Sequence, residues 1–151
     1  MRDVCDSIIL SGLENIVVHF HIINIDHAAA ALYSSIKEQY ALSFSLSTES
    51  TVVYDKAYYT IARFLILPEI IDRYECTVVV MDMDTLLVTA ADDFQSFLEG
   101  GDVGLISDEK RMQFYPWRTV TAGSTFFSKS HGARLFLDSL VDNIRRGWQW
   151  M

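Results

Sequence analysis

Two aspartates one residue apart, Asp82 and Asp84, follow the apolar run Thr77-Val78-Val79-Val80-Met81 and precede a second one, Thr85-Leu86-Leu87-Val88. Aspartate is a poor strand residue, and an ionised carboxylate taken out of water without a partner is costly. The pair therefore needs compensating positive charge. A divalent cation suits it. Side chains at i and i+2 of an extended chain face the same side, so both carboxylates could reach one ion. Oxygen ligands suit Mg²⁺ or Mn²⁺, and a small protein ligand set leaves room for substrate phosphates. A cation held there could neutralise a diphosphate leaving group as its bond breaks. The competing reading is a pair of turn aspartates that cap the next element, and Asp-x-Asp by itself does not choose between the two.

Other residues could join such chemistry. Arg63 lies among Ile61, Phe64 and Leu65. Either its head snorkels to solvent or it meets a carboxylate or a phosphate. His19 and His21 fall on one side of a strand, a spacing able to chelate a metal and equally that of core or edge residues. Tyr54, Tyr58 and Tyr59 could stack on a base or a sugar, or pack a helix. Gly123 could be a bulge or a place where a ligand approaches the backbone. Asp92-Asp93 most simply opens a helix, and Asp108, Glu109, Lys110 and Arg111 read as a solvated loop.

The elements that must position these residues alternate between helix and strand. Val4 to Leu13 reads as a helix. Asn15 to Ile25 reads as a strand of nearly continuous apolar character, as if covered on both faces. Asp26 caps a helix over Ala28 to Gln39. Leu42 to Leu46 alternates with period two, which predicts a strand with one buried face. A helix follows from Lys56 to Leu67, with Pro68 either kinking it or opening a new turn over Glu69 to Arg73. Glu75 to Met81 is the central strand. Gly100-Gly101-Asp102 turns into a strand at Val103 to Ile106, and 107–116 reads as a polar loop. Arg118 to Phe127 reads as a strand broken at Ala122-Gly123. In the last helix Ser130 is the N-cap, and Ala133, Phe136, Leu137, Leu140, Val141 and Ile144 form one apolar face. Arg134 with Asp138 and Asp142 with Arg146 are i,i+4 pairs, and Gly147 is a stop. This alternation predicts an α/β fold with a mainly parallel sheet flanked by helices.

The bulk numbers bound the function. The chain has 151 residues, half of them hydrophobic, which suits one domain with a packed core. Its net charge of −8 argues against a nucleic-acid partner, because phosphate contacts need clustered Lys and Arg. Cys5 and Cys76 are far apart and read as small core residues in a reducing compartment. No apolar run approaches the roughly 18 residues of a membrane span, and the start has no basic signal region. The expected location is the cytoplasm. The first residues fall almost inside a helix, and Trp148-Gln149-Trp150-Met151 ends the sequence without a polar tail, which suggests a truncated domain.

Several separated segments together resemble nucleotide-sugar glycosyltransferases of the GT-A fold, most closely the family-8-like retaining group. They are Phe20-His21-Ile22-Ile23-Asn24, then Tyr58-Tyr59-Thr60-Ile61-Ala62-Arg63-Phe64-Leu65-Ile66-Leu67-Pro68-Glu69-Ile70-Ile71, then Val78 to Val88 with its Asp-x-Asp-Thr, then Thr121-Ala122-Gly123 and the final helix. Their order is that of the family, and together they cover most of the chain. The resemblance implies that Asp82 and Asp84 bind Mn²⁺ or Mg²⁺ bridging the donor diphosphate, with Asp82 also approaching the ribose. It implies that Arg63 contacts the donor sugar or diphosphate. Met83, between the two aspartates, belongs to the donor-binding stretch. Thr121, Ala122 and Gly123 would line the donor-sugar pocket, with Thr121 standing where the family commonly has Asn. The implied partners are a nucleotide-diphosphate sugar, a UDP-sugar foremost, and an acceptor that the sequence does not identify. The family's first strand and base-binding loop would precede Met1. Its Asp-Gln pair and metal-binding His would follow Met151. The expectation is therefore a single partial GT-A domain over 1–151, either an active transferase or a catalytically incomplete piece with weak metal–diphosphate binding. Asp82-Met83-Asp84-Thr85-Leu86 also superficially resembles haloacid-dehalogenase-type phosphatases, with Asp82 as nucleophile and Asp84 as acid/base. That class carries the motif on its first strand, whereas more than half of this chain precedes Asp82.

Overall fold

The computed structural model describes residues 1–52, 56–107 and 120–148. The expected polar loop beyond Ser107, Tyr54, the charged run Asp108 to Arg111 and the end at 149–151 lie outside the described residues. The chain is a mixed α/β protein whose described residues form a two-stranded parallel sheet and a three-stranded antiparallel one. It divides into two compact units, Met1–Thr60 with Leu86–Ala91, and Ile61–Thr85 with Asp92–Met151.

In the first unit α1 (Arg2–Ser11) ends where Gly12 takes φ 74, the left-handed conformation that glycine adopts without steric cost. Then come β1 (Val17–Ile23), α2 (His27–Gln39) and β2 (Ser43–Glu49). Asp26 caps α2 as its position predicts, its side chain accepting from the Ala29 N–H at 2.7 Å. Strands β1 and β2 run parallel, with His19 opposite Ser45 and His21 opposite Ser47. One sheet face carries Phe20, stacked on Phe44 and edge-on to Tyr33 of α2. Cys5, Ile36 and Tyr40 form a small core with Leu42 and Phe44 packed against it. Burial pushes the Cys5 thiol above its ordinary pKa.

The other sheet face is polar, so β1 is not apolar on both sides as its composition suggests. Ser45 Oγ lies 2.7 Å from His19 Nδ1, and Ser47 Oγ lies 2.8 Å from both His19 Nε2 and His21 Nδ1. His21 Nε2 comes within 3.4 Å of Glu49 Oε2, an ion-pair distance, without forming a hydrogen bond. The Tyr58 hydroxyl donates to the other Glu49 oxygen. One direction satisfies the row. A carboxylate only accepts, so it favours the His21 tautomer with the proton on Nε2. Nδ1 of His21 then accepts from Ser47, Ser47 accepts from His19 Nε2–H, and His19 Nδ1 accepts from Ser45.

The second unit takes up the second half of α3 (Lys56–Leu65), which begins in the first. It continues with α4 (Leu67–Tyr74), β3 (Val78–Met81), α5 (Ala91–Glu99), β4 (Val103–Ser107), β5 (Val120–Phe127) and α6 (His131–Trp148). Pro68 opens α4 rather than kinking one long helix, since a proline in the first turn forfeits no helical hydrogen bond. Helix α4 ends in a left-handed Glu75, φ 48, so β3 starts at Val78, later than the expected Glu75. Ser130 caps α6, its Oγ accepting from the Ala133 N–H at 3.0 Å, and the helix runs through Gly147 to Trp148. Arg134 pairs with Asp138 at 3.1 Å and also with Asp72 of α4. Leu67, Ile71, Phe127, Leu137 and Val141 form the core between α4, β5 and α6.

The sheet of this unit has the order β3-β5-β4, with both pairings antiparallel. That corrects the expectation of a mainly parallel sheet, which holds among the described residues only for β1 and β2. The alternation of helix and strand invites parallel crossovers. Here β5 returns between β3 and β4 instead, against the direction of both.

Two outcomes test this packing. A Cβ at Gly104 of β4 would overlap the buried ring of Phe126, which is itself packed on Phe97 at 5.1 Å. Gly104→Ala should therefore lower unfolding stability by about 1–3 kcal/mol in urea titrations, the usual cost of overpacking. Iodoacetamide at neutral pH should modify exposed Cys76 and spare fully buried Cys5 until denaturant opens the first unit, as peptide mass mapping would show.

Candidate functional site

The candidate residues of the second unit gather at one end of the β3–β5 pair. Strand β3 is apolar, Val78-Val79-Val80-Met81, and Val78 and Val80 pack against the core. The strand ends at Met81, and Asp82 is the first residue beyond it. The Asp82 carbonyl accepts from the Thr85 N–H at 3.0 Å, so Asp82 to Thr85 is a β-turn with Met83 and Asp84 at its centre. The extended geometry expected to align the two carboxylates is thus replaced by a turn. Asp82 is half-buried, whereas Met83 and Asp84 are exposed.

Arg63 supplies the compensating charge. It lies in the last turn of α3, where a cation also complements the helix carbonyl end. Its Nη1 donates to Asp82 Oδ1 in a charge-assisted hydrogen bond. The two side chains keep 28% and 37% of their surface exposed, so solvent screens the pair. The guanidinium is neither merely solvated nor buried without a partner. Two residues proposed separately from sequence, 19 positions apart, meet here.

Strand β5 brings the third group. Met81 pairs with Ser124, and Gly123 is the next residue of β5 beyond that pair. On the other side, Leu105 pairs with Thr125 but Ile106 with Thr121, a register shift that leaves Ala122, Gly123 and Ser124 outside the β4 ladder. The sequence break expected at Ala122-Gly123 is this irregularity. Thr121, Ala122 and Gly123 therefore approach, along the backbone, the end of β3 from which Asp82 departs.

The donor set suits a hard divalent ion. Two carboxylates on one turn offer oxygen ligands alone, and Mg²⁺ or Mn²⁺ accepts so few from protein when phosphates and water supply the rest. Among the described residues no group of three His, Cys, Asp or Glu side chains is arranged to hold a metal. That includes His19 and His21, three of whose ring nitrogens face serine hydroxyls while His21 Nε2 approaches Glu49. The serine–histidine row escaped the sequence reading because it depends on the β1–β2 register. The alternating serines of β2 were its one visible signal. No described helix is long and apolar enough to cross a membrane. The chain matches no protein-family model, and neither the curated proteins nor the solved structures contain a significant match to it.

The part-exposed ion pair should matter little for folding. Asp82→Asn is expected to lower stability by less than about 1 kcal/mol in urea unfolding, as screened pairs do. A loss of several kcal/mol would mean that Arg63 depends on this carboxylate for its burial.

Proposed function

We propose that this chain is a metal-dependent glycosyltransferase domain of GT-A type that takes a nucleotide-diphosphate sugar, foremost a UDP-sugar, as donor. The observation that carries the reading is the meeting of Arg63 with Asp82 at the end of β3, where the Ala122-Gly123 irregularity of β5 also arrives. The separated segments in the family's order support it further. The group's retention of anomeric configuration comes with the resemblance.

In this reading Asp82 and Asp84 hold Mn²⁺ or Mg²⁺, which when bound neutralises negative charge on the diphosphate leaving group. Arg63 offers the same diphosphate a planar fork of N–H donors and stabilises the charge that grows as the glycosidic bond breaks. Glycine at 123 lets the donor sugar approach the backbone of β5 without a side chain between them. Thr121 offers a hydroxyl where the family commonly has an amide.

The test is calorimetric titration of UDP with and without Mn²⁺, on wild type and Asp84→Asn. UDP binding should strengthen about tenfold or more with Mn²⁺ in the wild type and lose most of that gain in the variant, on the scale of linked ligands. Equal binding in all four titrations would sink the metal–diphosphate reading. A transfer assay with radiolabelled UDP-sugars then separates an active transferase from a chain that binds without turnover.

A further inference from the structure

We propose that Arg63 is an exchangeable counter-ion that occupies Asp82 until a diphosphate draws it away, so that cation and diphosphate enter the site together. The proposal rests on the transferase reading above and adds a regulation of cation binding to it. Arg63 Nη1 donates to Asp82 Oδ1, one of the oxygens that a cation needs. A dication approaching that carboxylate therefore meets a fixed positive charge about one hydrogen bond away. At such separations, like charges repel appreciably even near the surface.

The pair is built to be exchanged. Both partners are more than a quarter exposed, and such ion pairs contribute little to stability, so releasing Asp82 is cheap. Asp84 is exposed on the same turn, which the Asp82 carbonyl and Thr85 N–H already close, so one carboxylate can receive a cation before the other is released. A diphosphate brings several negative charges and oxygens in the spacing that a guanidinium fork matches. It offers Arg63 a better partner than a lone carboxylate. With Arg63 turned to the phosphates, the Asp82 carboxylate would be free to hold a cation together with Asp84. Each ligand thereby raises the affinity of the other, and linkage requires the two enhancements to be equal.

Arg63 consequently has opposite effects on two titrations of one protein. Without it, Asp82 is uncompensated and more attractive to a cation alone, whereas the diphosphate loses its donor. The experiment measures Mn²⁺ binding by loss of the free-ion paramagnetic resonance signal, with and without UDP, on wild type, Arg63→Ala, Arg63→Gln and Arg63→Lys. Circular dichroism verifies the fold of each. Arg63→Ala and Arg63→Gln should bind Mn²⁺ alone roughly fivefold or more tightly than wild type, at the low end of ordinary couplings. Their enhancement of Mn²⁺ binding by UDP should shrink towards one. Arg63→Lys retains the charge and should stay near wild type for Mn²⁺ alone. Unchanged or weaker binding of Mn²⁺ alone in both Arg63→Ala and Arg63→Gln would overturn the counter-ion role, as would no Mn²⁺ binding by any variant. The two readings fail separately. If UDP has no effect on wild type while the neutral variants still gain Mn²⁺ affinity, the transferase reading falls and the competition for Asp82 stands.

Discussion

A carboxylate at the end of an apolar strand has to be answered by positive charge, and that requirement organises the second unit. Strand β3 is hydrophobic throughout, so Asp82 takes the first position at which the backbone leaves the core. Helix α3 delivers Arg63 to it from its last turn, where the carbonyl end of the helix already favours a cation. The tight turn closed by Thr85 follows at once and carries Asp84 outward. Helix, strand and turn are thus arranged about one screened ion pair that contributes little to stability. Stability comes instead from Leu67, Ile71, Phe127, Leu137 and Val141, none of which is charged. Groups that change partners are drawn from the less stable parts of a structure, and this pair lies outside the core.

The antiparallel run of β5 explains how a distant segment reaches the same place. A parallel neighbour would bring its own carboxyl end to Asp82. The antiparallel β5 brings its amino-terminal half instead, and with it the irregular stretch Ala122-Gly123. Bulges concentrate where a strand must release its ladder beside a site, because leaving the pairing frees the backbone to meet something else. The same strand continues in regular pairing into Phe126 and Phe127, which are buried. One end of β5 anchors in the core, and the ladder with β4 is interrupted at Ala122-Gly123 before it resumes at Thr121.

What the sequence disclosed follows from the range of each interaction. Asp26 and Ser130 as caps, Pro68 in a first turn and the Arg134–Asp138 pair are local, and each was legible from a few neighbouring residues. The candidacy of Arg63 and Asp82 was legible too, because a charge amid apolar residues demands a partner. Which partner it took was not, since that depends on how α3 meets the end of β3. Strand direction was illegible for the same reason. Alternating helices and strands fit a parallel crossover or an antiparallel return, and only long-range register decides. The turn at Asp82–Thr85 was legible only as the competing reading, and it replaces the extended geometry first assumed for the two carboxylates.

Two of the polar constructions among the described residues contrast in how much bonding capacity they leave for a visitor. On β1 and β2 the row Ser45, His19, Ser47, His21, Glu49 and Tyr58 uses each hydroxyl and ring nitrogen on its neighbour, apart from the loose approach of His21 Nε2 to Glu49. Such a row fixes tautomers and holds one strand register, and it leaves little bonding capacity beyond the buried His21 Nε2. The Arg63–Asp82 pair is the opposite. A guanidinium has five donors and a carboxylate about four lone-pair sites, so the bond between them uses a small part of either. Internal bonding is what makes the histidine row a structural device despite its reactive residue types. Spare bonding capacity, where a helix end meets the turn at a strand end, is what makes these two charged residues the candidate site.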